Sequence, residues 1–273
     1  MADDWTTEID TDVPNPARIY DYLLGGKDNF PADRDVADQI LAIAPVARDV
    51  VEDNRAFLCR AVRYLAGEAG VRQFIDLGSG LPTQGNVHEI AQAVAPDARV
   101  VYVDNDAMVV THSRALLAGD NTAAIQGDLR QPERVLGHPE VRELVDFTRP
   151  VALLCMAILH FLPDDEDPFG VVARFRDALP AGSYLALSHG TRDIPVRPDM
   201  SAEEMAEMGA RVERLYQLTT ASLVTRTRAE VERFFDGFDL VDPGVVEIQL
   251  WRPDDQDALL PGGFYGGVGR KRG

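Results

Sequence analysis

Two short stretches hold the residues best suited to chemistry: Phe74-Ile-Asp-Leu-Gly-Ser-Gly-Leu-Pro-Thr83 and, a helix and a strand later, Val100-Val-Tyr-Val-Asp-Asn-Asp106. Each is an apolar run ending in an acid, and the first continues into a glycine turn. In an open parallel α/β sheet such turns emerge at the carboxyl ends of neighbouring strands, where these sheets bind ligands. Gly78 and Gly80, with Ser79 between them, let the backbone approach a ligand with no Cβ in the way. Asp104, ending the second strand, can accept from both hydroxyls of a ribose. The pattern predicts a nucleoside site.

The spacing narrows the nucleoside. A dinucleotide fingerprint needs a small residue three places after its second glycine, so that helix packs closely on strand. That place is Thr83, preceded by Pro82, and the helix is expected to start late. Asp76, two residues before the first glycine, would repel a pyrophosphate but could pair with a cationic group. S-adenosylmethionine has an ammonium and a sulfonium and no phosphate, and suits this turn better than a nicotinamide dinucleotide.

The elements that must position these turns follow from pattern. Strands are predicted at 72–77, 99–103, 122–126, 151–156 and 183–188, alternating with helices at about 84–95, 107–118 and 168–179 and a weaker helical stretch before Asp146. Strands alternating with helices mean a parallel sheet covered on both faces. Ahead of them, Pro16 after Asn15 and the Gly25-Gly26 pair bracket a short helix. Asp33 is expected to open a second helix, and a third runs from beyond Pro45 to about Ala66, with Val50, Phe57, Ala61, Val62 and Leu65 at helical spacing. Ser201-Ala-Glu-Glu204 is a capping box opening a helix to about Tyr216, and a short helix is expected at 228–235. Residues 240–251 and 264–269 read as an antiparallel pair at one sheet edge. The domain division expected is a helical extension and lid over 1–70, then a cofactor-binding domain over 71–273.

Composition excludes several classes. The 273 residues suffice for one large α/β domain. No apolar run approaches the ~18 residues of a membrane span, and no signal peptide opens the chain. Cys59 and Cys155 lie in apolar contexts and are expected to be free thiols, which fits a cytoplasmic protein. A net charge of −18 argues against a nucleic-acid substrate. No Cys/His spacing suits a metal.

The chain resembles the class I S-adenosylmethionine-dependent methyltransferases, and more closely an actinobacterial S-adenosyl methyltransferase family formerly catalogued as a domain of unknown function. The resemblance covers nearly the whole chain. It rests on Asn15-Pro-Ala-Arg-Ile-Tyr-Asp-Tyr-Leu-Leu-Gly-Gly-Lys-Asp-Asn-Phe30, Asp53-Asn-Arg55, Asp76-Leu-Gly-Ser-Gly80 and Tyr265-Gly-Gly-Val-Gly269. It implies a Rossmann-like sheet of seven strands with the last antiparallel, S-adenosylmethionine as cofactor, and methyl transfer, without fixing the acceptor; the preferred reading is a small-molecule acceptor.

On that frame Asp76, Gly78, Ser79 and Gly80 would line the methionine part of the cofactor. Asp104 would hold the ribose, with Asn105 and Asp106 beside the adenine, although Asp106 also suits a helix cap. The resemblance places Asp128 and the Leu129 backbone near the adenine amino group; a solvated loop acid is the alternative for Asp128. Ala157 is small where cofactor and acceptor should meet. Arg55 could bind the cofactor carboxylate or serve a structural ion pair. Tyr20, Gly25, Gly26, Asn29 and Phe30 would form a lid, or an arm that only covers the domain. His160 and His189 follow strand ends and are candidate general bases, against a reading as hydrogen-bonded loop histidines. The rival function is a cofactor-binding sensor without turnover.

Overall fold

In the computed structural model, residues 10–82, 85–116, 119–193, 200–254 and 262–273 are described. Thr83, the acidic residues 1–9, the end of the helix expected to reach 118, and much of the turn-rich 252–263 lie outside them. In chain order the elements are α1 (Pro16–Leu23), α2 (Pro31–Ile43), α3 (Ala47–Gly67), β1 (Gln73–Leu77), α4 (Val87–Val94), β2 (Arg99–Asp104), α5 (Ala107–Leu116) and β3 (Thr122–Gln126). Then come α6 (Pro132–Gly137), α7 (Pro139–Leu144), β4 (Ala152–Met156), α8 (Pro168–Ala178), β5 (Tyr184–Gly190), α9 (Ala202–Tyr216), α10 (Arg228–Glu232), β6 (Phe238–Leu240), β7 (Val246–Glu247) and β8 (Phe264–Lys271).

The strands form one sheet in the order β3-β2-β1-β4-β5-β8-β6, with β7 pairing beside β8. The first five are parallel, and β8 runs antiparallel to β5, β6 and β7. The order reverses between β1 and β4, and ligands of open α/β sheets bind at such a switch point. The central strands are buried on both faces, which explains their nearly unbroken apolar runs.

Side chains alternate across the sheet. Ile75, Leu77, Val101 and Val103 pack with Val171, Phe175 and Phe234 on one face. Phe74, Val100 and Tyr102 pack with Phe57, Ala61, Leu65 and Ala91, from α3 and α4, on the other. Asp76 follows Phe74, and Asp104 follows Tyr102, by two residues. Both acids therefore belong to the face that α3 covers, at the carboxyl ends of their strands.

Three expectations need correction. The stretch 240–251 is not one strand: β6 is short, β7 spans two residues, and a 3-10 turn occupies Ile248–Leu250. The sheet has eight strands where seven are expected, because β7 adds a two-residue pairing beside β8; the antiparallel β8–β6 pair does lie at one edge, with β6 outermost and β8 buried over most of its length. Asp33 does not open α2. Phe30 caps that helix after Pro31 sets its first turn, and Asp33 turns inward, accepting from the Phe30 N–H at 2.8 Å and pairing with buried Arg18 at 3.0 Å.

Candidate functional site

One cavity of about 560 Å³ opens at the switch point, a size typical of small-molecule sites. The turn after β1 and the end of β2 are lashed together. The Gly78 and Ser79 N–H groups donate to the Val103 carbonyl at 2.8 and 3.2 Å, and the Gly80 N–H donates to Asp104 Oδ2 at 2.9 Å. Asp104 Oδ1 accepts from the Asp106 N–H at 3.0 Å, and the carboxylate keeps acceptor capacity for a ligand hydroxyl. Gly78 and Gly80 have φ of +67° and +65°. A Cβ on Gly78 would overlap Ile158, whereas one on Gly80 would enter open space. Glycine is thus needed at one position for packing and conformation, at the other for conformation and ligand approach.

Asp76 lines the same cavity, 4 % exposed, and no hydrogen-bond donor reaches its carboxylate among the described residues. Burial, countered by the Arg55 charge and reinforced by neighbouring Asp104, pushes it up to about 7. Burial likewise pushes Asp104 up to about 6 against the backbone donors of Asp106, Gly80 and Asn105. A buried carboxylate without a donor is costly, and a ligand ammonium would satisfy it. The Ser79 hydroxyl in the same turn is also buried and without a partner among the described residues. These groups fit an amino-bearing nucleoside.

The remaining candidates divide. Tyr20, Arg55, Asn105, Asp106, Asp128, Leu129, Ala157 and His160 line the cavity with the turn. Asp106 caps α5, accepting from the Met108 N–H at 2.7 Å. Asp128 is held by its own loop, by the Arg130 N–H at 2.9 Å and the Arg130 guanidinium at 3.3 Å. Arg55 donates to the Gly85 carbonyl at 2.8 Å.

Gly25, Gly26, Asn29 and Phe30 do not line the cavity. Their turn folds back on α1: Asp21 accepts from the Asp28 N–H at 2.9 Å and the Asn29 amide at 2.8 Å, and a Cβ on Gly26 would overlap that carboxylate. Phe30 packs with Leu81, Met108 and Val109 behind the glycine turn. From this arm the cavity takes α1 itself, with Tyr20, Asp21 and Leu23.

Neither histidine is arranged as a base. His189 is fully buried and away from the cavity lining, its Nδ1 2.7 Å from the Gly190 carbonyl and its Nε2 2.9 Å from the Arg226 guanidinium. The guanidinium can only donate, so Nε2 accepts and Nδ1 carries the proton. Burial holds this ring down to about 3. His160 Nδ1 accepts from the Gly190 N–H at 3.1 Å, which puts the proton of the neutral ring on Nε2. Burial keeps it far below the usual range for histidine, so it presents a donor and no free lone pair.

Two features escaped the reading of residues. Ala157 stands at φ +52°, a strained conformation for a residue with a Cβ. It is fixed by its N–H, which donates to the Ser188 carbonyl and hydroxyl at 3.1 and 3.0 Å. The Ser188 hydroxyl donates to Asn54 Oδ1 at 2.6 Å, Asn54 Nδ2 donates to the Tyr20 hydroxyl at 3.0 Å, and that hydroxyl donates to the Val51 carbonyl at 3.1 Å. One chain of bonds ties the ends of β4 and β5 to α3 and α1. The second feature is Arg226, buried, which donates to the Leu159 and Leu162 carbonyls at 3.2 and 2.9 Å and so clamps the loop carrying His160. Asn54 was detectable, because it occupies the place where the stripe Leu58–Ala61–Leu65 would continue. Arg226 had no local signal.

Sheet order, glycine turn and paired acids define a Rossmann-like S-adenosylmethionine-dependent methyltransferase. The model of the S-adenosyl methyltransferase family matches residues 2–272, and the chain belongs to that family. A DUF574 family protein from Streptomyces avermitilis MA-4680 is 45% identical, with 97% of this chain and 100% of that chain covered and a TM-score of 0.89. A candidate methyltransferase from Thermobifida fusca YX is 48% identical over 97% of each chain, with a TM-score of 0.87. Human N-acetylserotonin methyltransferase, solved with S-adenosylmethionine, shares the fold at 13% identity and a TM-score of 0.51, with 95% of this chain and 63% of that chain covered. No curated protein matches. S-adenosylmethionine is accordingly the cofactor.

Proposed function

We propose that the chain transfers the methyl group of S-adenosylmethionine to a small-molecule acceptor held in the same cavity. Asp76 would meet the cofactor ammonium, Gly78–Gly80 would line its methionine arm, Asp104 would hold the ribose, and Asn105, Asp106, Asp128 and Leu129 would border the adenine. Residues 71–273 act as the cofactor-binding body, and residues 1–70 supply the wall and cover. The observation that carries this reading is Asp76, a buried carboxylate facing the cavity with no donor among the described residues.

When bound, the cofactor supplies a methyl group on a sulfonium, already a good leaving group. The protein's residues need only align the acceptor and exclude water, a positioning effect worth up to about 7–11 kcal/mol. Held by Asp76, Gly78–Gly80 and Asp104, the cofactor would supply its methyl group to an acceptor lone pair, with the carbon–sulfur electron pair leaving on sulfur. Neither candidate histidine offers a lone pair for a displaced proton. Calorimetry with S-adenosylhomocysteine and with NAD tests the reading. The expected result is one-to-one binding of the former and none of the latter; tighter binding of NAD would overturn it.

A further inference from the structure

Beyond the acids, the cavity is walled by aromatic rings. His160 and Phe161 lie 4.4 Å apart between centroids, Phe161 and Tyr216 5.6 Å, and His160 and Phe264 5.6 Å, and all four line the cavity. Two polar groups on this wall are unspent. The Gly190 N–H fixes the His160 proton on Nε2, and no acceptor for it exists among the described residues. The Tyr216 hydroxyl likewise has no hydrogen-bond partner among them, and its burial keeps the phenol protonated.

We propose, on the methyltransferase reading above, that the acceptor is an uncharged aromatic molecule bearing a hydrogen-bond-accepting oxygen, gripped by His160 Nε2–H and the Tyr216 hydroxyl. The ring follows from the wall, since aromatic groups pack edge-to-face or offset at such separations. The oxygen follows from the donors, since a neutral imidazole N–H can only donate. Among the described residues that line the cavity, an anionic acceptor has no unengaged counter-charge to meet. Arg18 is spent on Asp33 at 3.0 Å, Arg130 on Asp128 and Glu166 at 3.3 and 2.5 Å, and Arg55 on the Gly85 carbonyl and the field of Asp76. An ammonium, which only donates, would leave the His160 Nε2–H without an acceptor, and a hydrocarbon would do the same.

The test uses the full chain saturated with S-adenosylhomocysteine and titrated with coumarin, naphthalene, coumarin-3-carboxylate or naphthylmethylammonium. Coumarin should bind best. Tyr216→Phe keeps the ring and removes only the hydroxyl. It should weaken coumarin about 2- to 10-fold, the ordinary worth of one hydrogen bond, and leave naphthalene and S-adenosylhomocysteine unchanged. Tighter binding of the carboxylate, the ammonium or naphthalene, no binding of coumarin, or equal coumarin affinity in Tyr216→Phe would overturn the proposal while the cofactor reading stands. Failure of S-adenosylhomocysteine to bind would instead remove both.

Discussion

Asp76 and Asp104 are adjacent buried acids held above the usual carboxylate range, at about 7 and about 6. Raised folded values favour the protonated forms, so the stability these acids contribute is complete below about pH 4 and is lost as pH rises through about 6 to 7. A ligand ammonium beside Asp76 favours the ionised form instead. Binding of S-adenosylhomocysteine below about pH 7 should therefore release a proton, and affinity should tighten as pH rises toward about 7 and level off above it. Asp76→Asn should flatten that dependence, as measured by calorimetry in buffers of different ionisation enthalpy. A wild-type affinity indifferent to pH, or the same slope in the variant, would contradict this role. Both acids were legible in the sequence because strand ends and glycine turns announce themselves locally. Their elevated protonation, and the fate of the histidines, were not, because burial and the approach of Arg55 and Arg226 are set by residues distant in the chain.

At the scale of elements, the chain of bonds from Ala157 through Ser188 and Asn54 to Tyr20 joins the helical arm to the sheet. Asn54→Ala strands the Ser188 hydroxyl without its acceptor and should cost about 1–3 kcal/mol, read from urea denaturation. Adding Ser188→Ala should cost less than the sum of the single changes, since both act on one bond. Strict additivity would mean that the two do not share a network. The arm also permits a clean probe of closure: the chain has two lysines, Lys27 and Lys271, and Lys27 is exposed in the turn after α1. If α1 covers the cofactor, cleavage after Lys27 by a lysine-specific protease should slow when S-adenosylhomocysteine is added. Equal rates would leave α1 as a fixed wall. The alternating strands and helices were legible from periodicity, and so was the late start of α4 at Val87. The end of the chain was not. Apolar residues from 240 to 251 satisfy a strand pattern, yet pairing with β8 engages only two short pieces, and insertion of β8 between β5 and β6 is a long-range choice that no local window contains.

For the whole molecule, one cavity serves both parts of the chain: the sheet contributes the acids and glycine turn, and α1, α3 and α9 contribute much of the rest of the wall. Family and cofactor were within reach of the sequence because the arm, the turn and the β8 segment each carry distinctive residues. The acceptor was not, because its wall is assembled from His160, Phe161, Tyr216 and Phe264, which meet only in the folded chain. The account stands on the paired acids holding the nucleoside at the switch point. Calorimetric titration of S-adenosylhomocysteine into wild type and Asp104→Ala tests this most directly. The account predicts one-to-one binding that weakens in the variant by about 1.5–3 kcal/mol, the worth of hydrogen bonds to a charged group. An unchanged affinity in a folded Asp104→Ala protein would contradict it.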